Sequence, residues 1–107
     1  MLELDKTTFE PEVLQSEGYT LVDFYGDGCV PCAALMPHVH AFAEKYAGKG
    51  LKFSCLNTTK ARRLAISLKI MGLPVIAIFK DGEIIESLVK EDATPENVEA
   101  LIQKYIA

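Results

Sequence analysis

The chain carries one constellation suited to covalent chemistry. It is the pair of thiols in Gly28-Cys29-Val30-Pro31-Cys32. Beyond them, Leu35, Val39, Phe42, Ala43 and Tyr46 recur at three- and four-residue intervals, so an amphipathic helix is expected over residues 30–47, ended by Gly48. Cys29 then lies near the helix cap and Cys32 in the first turn, with both sulfurs able to share a face. Unpaired N–H groups and the positive end of the helix dipole favour a thiolate at Cys29. A thiolate can attack a disulfide, and a second thiol within reach can resolve the resulting mixed disulfide. The pair could therefore pass two electrons to a substrate and close into a ring. Pro31 stiffens the turn and gives up an N–H that the first turn leaves orphaned.

Two other readings of the pair stay open on the residues alone. Half of a zinc site would need two more ligands, and Cys55, His38 and His40 are the soft candidates. Their spacings match no finger or ribbon, and His38, six residues beyond Cys32, falls nearly on the opposite side of the helix. A purely structural disulfide would close a loop too short to constrain much of the unfolded chain. No metal is expected.

The elements that must position the thiols follow from patterning. Residues 19–25, β-branched and aromatic, read as a strand interrupted by Asp23 and running into the Gly26-Asp27-Gly28 turn. Upstream, Thr8 can cap a short helix carrying Phe9, Val13 and Leu14, and residues 2–5 can add a first strand. Downstream come a strand at 51–56, helical spacing over 59–69, and strands at 75–79 and 83–89 joined by Asp81-Gly82, a strong hairpin signal. A last helix starts at Thr94-Pro95 and carries Val98, Leu101, Ile102 and Tyr105. Pro37 is predicted to kink the long helix. Alternating strands and helices followed by a hairpin predict an α/β fold with a mixed sheet and helices on both faces, as one domain over residues 1–107. In such sheets reactive groups gather where strands end and the next helices begin, which is where residues 25–32 lie.

Composition narrows the function classes. Fifteen acidic against 11 basic residues leave a net charge of −4, so the basic surface that nucleic acid requires is missing. The longest apolar run, residues 70–79, is broken by Gly72 and Pro74 and falls short of the ~20 residues of a membrane span. The opening MLELDKTTFEPE is acidic and polar, unlike a secretory leader. Three cysteines suit a reducing, cytoplasmic setting better than a disulfide-stapled secreted domain. Gly26-Asp27-Gly28 lacks the third glycine of a nucleotide loop. His38 and His40, the small basic face of Lys60, Arg62 and Arg63, and Cys55 read as ordinary surface or core residues.

Val22-Asp23-Phe24-Tyr25 before the turn, Cys29-Val30-Pro31-Cys32 opening a helix with Pro37 inside it, Leu73-Pro74 before a strand, and Phe79-Lys80-Asp81-Gly82 at the hairpin together resemble the thioredoxin family. The resemblance covers nearly the whole chain. The GCVPC site is similar to that of variant thioredoxins associated with glycine reductase in amino-acid-fermenting anaerobes. The resemblance implies a thioredoxin-like sheet of four to five strands, with Cys29 attacking the substrate disulfide and Cys32 resolving the intermediate. It implies Asp23 beneath the thiols, where burial would raise its pKa so that it accepts the Cys32 proton. On the residues alone, Asp23 could equally be a strand aspartate hydrogen-bonded to nearby backbone. Leu73-Pro74 is similar to the family's cis-proline dipeptide, which pairs with an extended substrate segment, and a trans proline before an edge strand is the alternative. Gly28, Val30, Pro31, Gly72, Leu73 and Pro74 would then form the substrate-docking rim.

Departures from the family pattern alter these expectations. Gly28 replaces the usual tryptophan, which should leave Cys29 more accessible and the loop more flexible. Val30 replaces a glycine between the thiols. Cys55 stands where the family carries a lysine, so Asp23 should be pushed further toward its neutral form unless another cation replaces it. Lys90-Glu91-Asp92 lies where the family often has a glycine near the thiols. The activity expected from the resemblance is that of a monomeric, cytoplasmic thiol–disulfide oxidoreductase without bound cofactor, recharged by a flavoprotein reductase and consumed by protein disulfides. A glutathione-recycled glutaredoxin-like reductase and a non-catalytic interaction module are the rivals.

Overall fold

The computed structural model describes residues 1–107. Five strands form one sheet: β1 (Leu2–Leu4), β2 (Tyr19–Tyr25), β3 (Leu51–Asn57), β4 (Val75–Lys80) and β5 (Glu83–Val89), in the order β1-β3-β2-β4-β5. β1, β3 and β2 run parallel, while β4 and β5 are antiparallel additions, so the sheet is mixed as expected. At the hairpin, Asp81 and Gly82 both have positive φ (53° and 81°), the backbone that a two-residue turn between twisted strands requires.

β2 lies at the centre and is buried on both faces. Leu21 faces α1 (Val30–Lys45) and α3 (Pro95–Gln103), in a cluster with Leu35, Val39, Ile76, Ile78, Val98, Leu101 and Ile102. Val22 and Phe24 face the other way, toward Phe9, Val13, Ala77 and Phe79. Phe9 is fully buried and meets Phe79 edge-on, with ring centroids 5.6 Å apart. The two helical layers thus clamp β2, and its carboxyl end is delivered to the start of α1.

Local details depart from the expectations. Thr8 does not cap the first helix; Asp5 organises the turn before it, its carboxylate accepting from the N–H groups of Thr7 (2.8 Å) and Thr8 (3.0 Å). The helical stretch itself, Glu10–Leu14, is a π-helix with Gln15 N–H bonded to the Glu10 carbonyl. The helical spacing over 59–69 resolves into a 3₁₀ turn, Thr58–Lys60, and a short α2, Arg62–Ser67. Asn57 caps that turn by accepting from Thr59 N–H at 3.0 Å, a competing local hydrogen bond that periodicity does not register. α1 holds Pro37 in its interior, as the pattern places it. α3 begins as expected, with the Thr94 hydroxyl accepting from Asn97 N–H at 3.1 Å. Asn97 donates instead to the Asp92 carbonyl rather than completing a reciprocal cap.

Candidate active site

Cys29 is the N-cap of α1 and Cys32 lies in its first turn, joined by a disulfide across 5.3 Å between Cα atoms. The Cys29 sulfur also accepts from the Cys32 N–H at 3.3 Å, so an orphan amide of the helix start points at the sulfur that a thiolate would occupy. Exposure separates the two. Cys29 is partly open, whereas Cys32 is 2% exposed and heads the buried stripe continued by Leu35 and Val39. The disulfide edges a groove of about 670 Å³, whose wall includes Gly28, Val30, Met36 and His40. Val30 is 77% exposed beside it. No cluster of three or more side chains able to hold a metal ion occurs.

The loop before Cys29 is better held than its glycines suggest. Asp27 N–H donates to the Thr59 hydroxyl (2.9 Å), Asn57 Nδ2 to the Asp27 carboxylate (3.0 Å), and the Thr58 hydroxyl to the Tyr25 carbonyl (2.9 Å). The end of β3 thus ties the loop through its Asn57-Thr58-Thr59 run. Gly28 has φ +74° with open space around it, a backbone that favours glycine.

The Leu73-Pro74 bond is cis. Leu73 lies against Gly26, so tightly that a methyl on Gly26 would come within 3.0 Å of its Cδ1, and the proline loop is thereby placed beside the dithiol loop. Gly72, Leu73 and buried Pro74 do not line the large groove. Gly72 and Leu73 border two smaller depressions that share exposed Met71. Lys90 takes φ +55°, a left-handed backbone that favours glycine. Its N–H donates to the Pro74 carbonyl at 2.8 Å, and its side-chain stem covers Gly72.

Asp23 sits mid-strand in β2, 1% exposed, and neither carboxylate oxygen has a hydrogen-bond partner. That excludes the alternative of a backbone-bonded strand aspartate. Burial, and then the negative charge of Glu3, push its pKa up to about 7. No cation takes the place of the missing lysine. Instead Cys55, in register with Asp23, donates its thiol to Glu3 Oε2 at 3.0 Å. Burial and Glu3 push that thiol up to about 12, which leaves it protonated and inert.

Comparison with known proteins agrees with this geometry. The thioredoxin family profile matches residues 1–104. The thioredoxin of Acetoanaerobium sticklandii is 59% identical over 106 residues, covering 99% of this chain and 100% of its own length. That of Peptoclostridium acidaminophilum is 54% identical over 99% of this chain and 96% of its own length. The thioredoxin of Porphyra purpurea is 33% identical over 94% of this chain and 92% of its own. With a redox-capable Cys29–Cys32 pair at the head of α1 and this likeness along its whole length, the chain belongs to the thioredoxin family of protein-disulfide reductases.

Proposed function

We propose that the protein carries electrons from a flavoprotein reductase to disulfides of partner proteins in the cytoplasm, working as a monomer. One observation carries the reading: an accessible sulfur at a helix cap, bonded to a buried sulfur one turn on. In the reduced state, the helix-start amides favour the Cys29 thiolate, which attacks the substrate disulfide and forms a mixed disulfide. Asp23 takes the Cys32 proton. The Cys32 sulfur then attacks Cys29, closing the ring and releasing the substrate as a dithiol. Burial beside Leu35 suits Cys32 to this second step, because it shields the sulfur from outside disulfides.

Gly28, Val30 and Pro31 on one side and Gly72, Leu73 and Pro74 on the other form the docking rim. The cis-proline loop supplies backbone groups for an extended segment, and Val30 supplies apolar contact. Likeness to the thioredoxins of A. sticklandii and P. acidaminophilum supports the anaerobe subgroup suggested by GCVPC. Absence of any helix long and apolar enough to cross a membrane is compatible with this placement.

The test is insulin disulfide reduction with dithiothreitol as electron source. The protein should accelerate precipitation well above the dithiothreitol blank, and Cys29→Ser should match the blank. Cys32→Ser should accumulate a mixed disulfide at Cys29. A parent rate equal to the blank rejects the reading. Recharging by glutathione alone, at the rate given by a flavoprotein reductase, would favour the glutaredoxin-like rival.

A further inference from the structure

One row of paired residues crosses the sheet at Asp23, polar at one end and apolar at the other. In register stand Glu3 (β1), Cys55 (β3), Asp23 (β2), Ile76 (β4) and Leu88 (β5). Paired residues share a sheet face. Ile76 packs on that face with Leu35 and Val39 of α1, and Cys32 lies one turn before Leu35 on the same buried stripe. Glu3 is an exposed residue whose carboxylate is held by two hydrogen bonds. Oε1 accepts from the Tyr25 hydroxyl at 2.9 Å and Oε2 from the Cys55 thiol at 3.0 Å.

The ionisable groups around Asp23 are Cys55 from β3, Glu3 from β1, Tyr25 from β2 and Cys32 from α1, while β4 and β5 present only Ile76 and Leu88 in the row. His38 and His40 of α1 are exposed. The Met1 ammonium acts on Cys55 and is not among the influences on Asp23. Cys55, Tyr25 and the disulfide-bonded Cys32 are neutral near pH 7. The charge that Asp23 meets is therefore that of Glu3.

We propose that Glu3 is a positioning residue of the dithiol site: held by Tyr25 and Cys55, its carboxylate favours the protonated form of Asp23 and so sets the pH at which Asp23 exchanges a proton with Cys32. This rests on the reading of Asp23 as proton acceptor. In the step concerned, the Cys32 S–H bond breaks and its proton goes to an Asp23 carboxylate oxygen. The sulfur's electron pair forms the bond to Cys29, and the Cys29–substrate bond breaks with its pair leaving on the substrate sulfur. Glu3 neither gains nor loses a proton. Its charge opposes a second negative charge two strands away, where the family's lysine would have favoured it. At neutral pH this keeps Asp23 divided between acid and base, able to take the Cys32 proton in one direction and return it when the ring is reduced.

The test follows the Asp23 carboxyl carbon by NMR across pH in the oxidised protein, for the parent, Glu3→Gln and Glu3→Lys. Glutamine removes the charge and keeps one acceptor oxygen for the two donors Tyr25 and Cys55, its amide nitrogen facing the other. Two strand spacings separate Glu3 from Asp23 by roughly 10 Å. Removing the charge should therefore move the Asp23 titration to more acid pH by roughly 0.3 to 1.2 pH units, and lysine should move it further. The pH profile of insulin reduction should move with it, and Glu3→Asp should restore the parent profile. An Asp23 titration that stays in place in both variants, or moves to alkaline pH, overturns the proposal. Asp23→Asn separates this from the underlying reading: if Asp23→Asn keeps the parent rate and profile, the proton-acceptor role fails, whereas the Asp23 resonance in Glu3→Gln still decides whether Glu3 acts on it.

Discussion

Replacing Asp23 by asparagine should stabilise the oxidised protein, by an amount that depends on pH in a defined way. The side chains have nearly the same volume, so packing is kept and the titrating group is removed. In the unfolded chain the carboxyl ionises near 3.8, in the native protein near 7. Between those values the native state holds one more proton than the unfolded state, so stability falls by about 1.36 kcal/mol per pH unit as pH rises. The stabilising effect of that proton is complete below 3.8, fades across the window and is gone above 7, a total of about 4 kcal/mol over the 3.8-to-7 interval. Set against the ~5–15 kcal/mol that holds a typical domain together, this is a large fraction. Urea unfolding of the oxidised parent and Asp23→Asn at steps from about pH 4 to pH 8 gives the difference directly. The subtraction cancels the surface carboxylates that both share. Asparagine brings its own buried amide, but that offset does not vary with pH. The variant's advantage should grow by about 4 kcal/mol across the window and then level off. A difference constant within about 1 kcal/mol would refute the premise that an unpaired, buried carboxylate sits in β2.

Further outcomes follow from individual contacts. In the reduced protein near pH 8, iodoacetamide should modify Cys29 first and leave Cys55 unmodified until urea is added, because Cys55 is 4% exposed and its thiol is pushed up to about 12; mass spectrometry showing native Cys55 alkylated at the Cys29 rate would contradict this. Phe9→Ala should lower stability by about 3–5 kcal/mol in denaturant melts, since it empties a fully buried site against Phe24 and Phe79, and a loss under about 1 kcal/mol would mean the N-terminal helix is not integral to the core. Thr94→Ala should cost about 1 kcal/mol by removing the α3 cap, while Thr94→Ser should retain most of it; equal melting of all three proteins would discount the cap.

Periodicity and punctuation made most of the architecture legible. Residues 19–25 and 83–89 match β2 and β5 end for end, the Asp81-Gly82 hairpin is where the dipeptide places it, and α1 starts at Val30 as the thiol spacing requires. These features are local: a strand or turn is written into a few adjacent residues, as is the position of two thiols at a helix start. Thr8 caps nothing, and the helical stretch over 59–69 divides into a 3₁₀ turn and α2, because short polar side chains bond to nearby backbone in ways that hydrophobic spacing does not encode.

The sequence by itself determined the reactive pair, the alternation of elements and the presence of an aspartate in an otherwise apolar strand. Only the tertiary structure decided what surrounds that aspartate. Glu3, Asp23 and Cys55 lie 20 and 32 residues apart in the chain and become neighbours because β1, β3 and β2 pair in one register. The tethering of the dithiol loop by Thr58 and Thr59, and the placement of Leu73 against Gly26, arise in the same way. Charge acts through space, and a neighbour that shifts a carboxyl need not be near it in sequence. Strand order and register, set by burial on both sheet faces, bring these groups together.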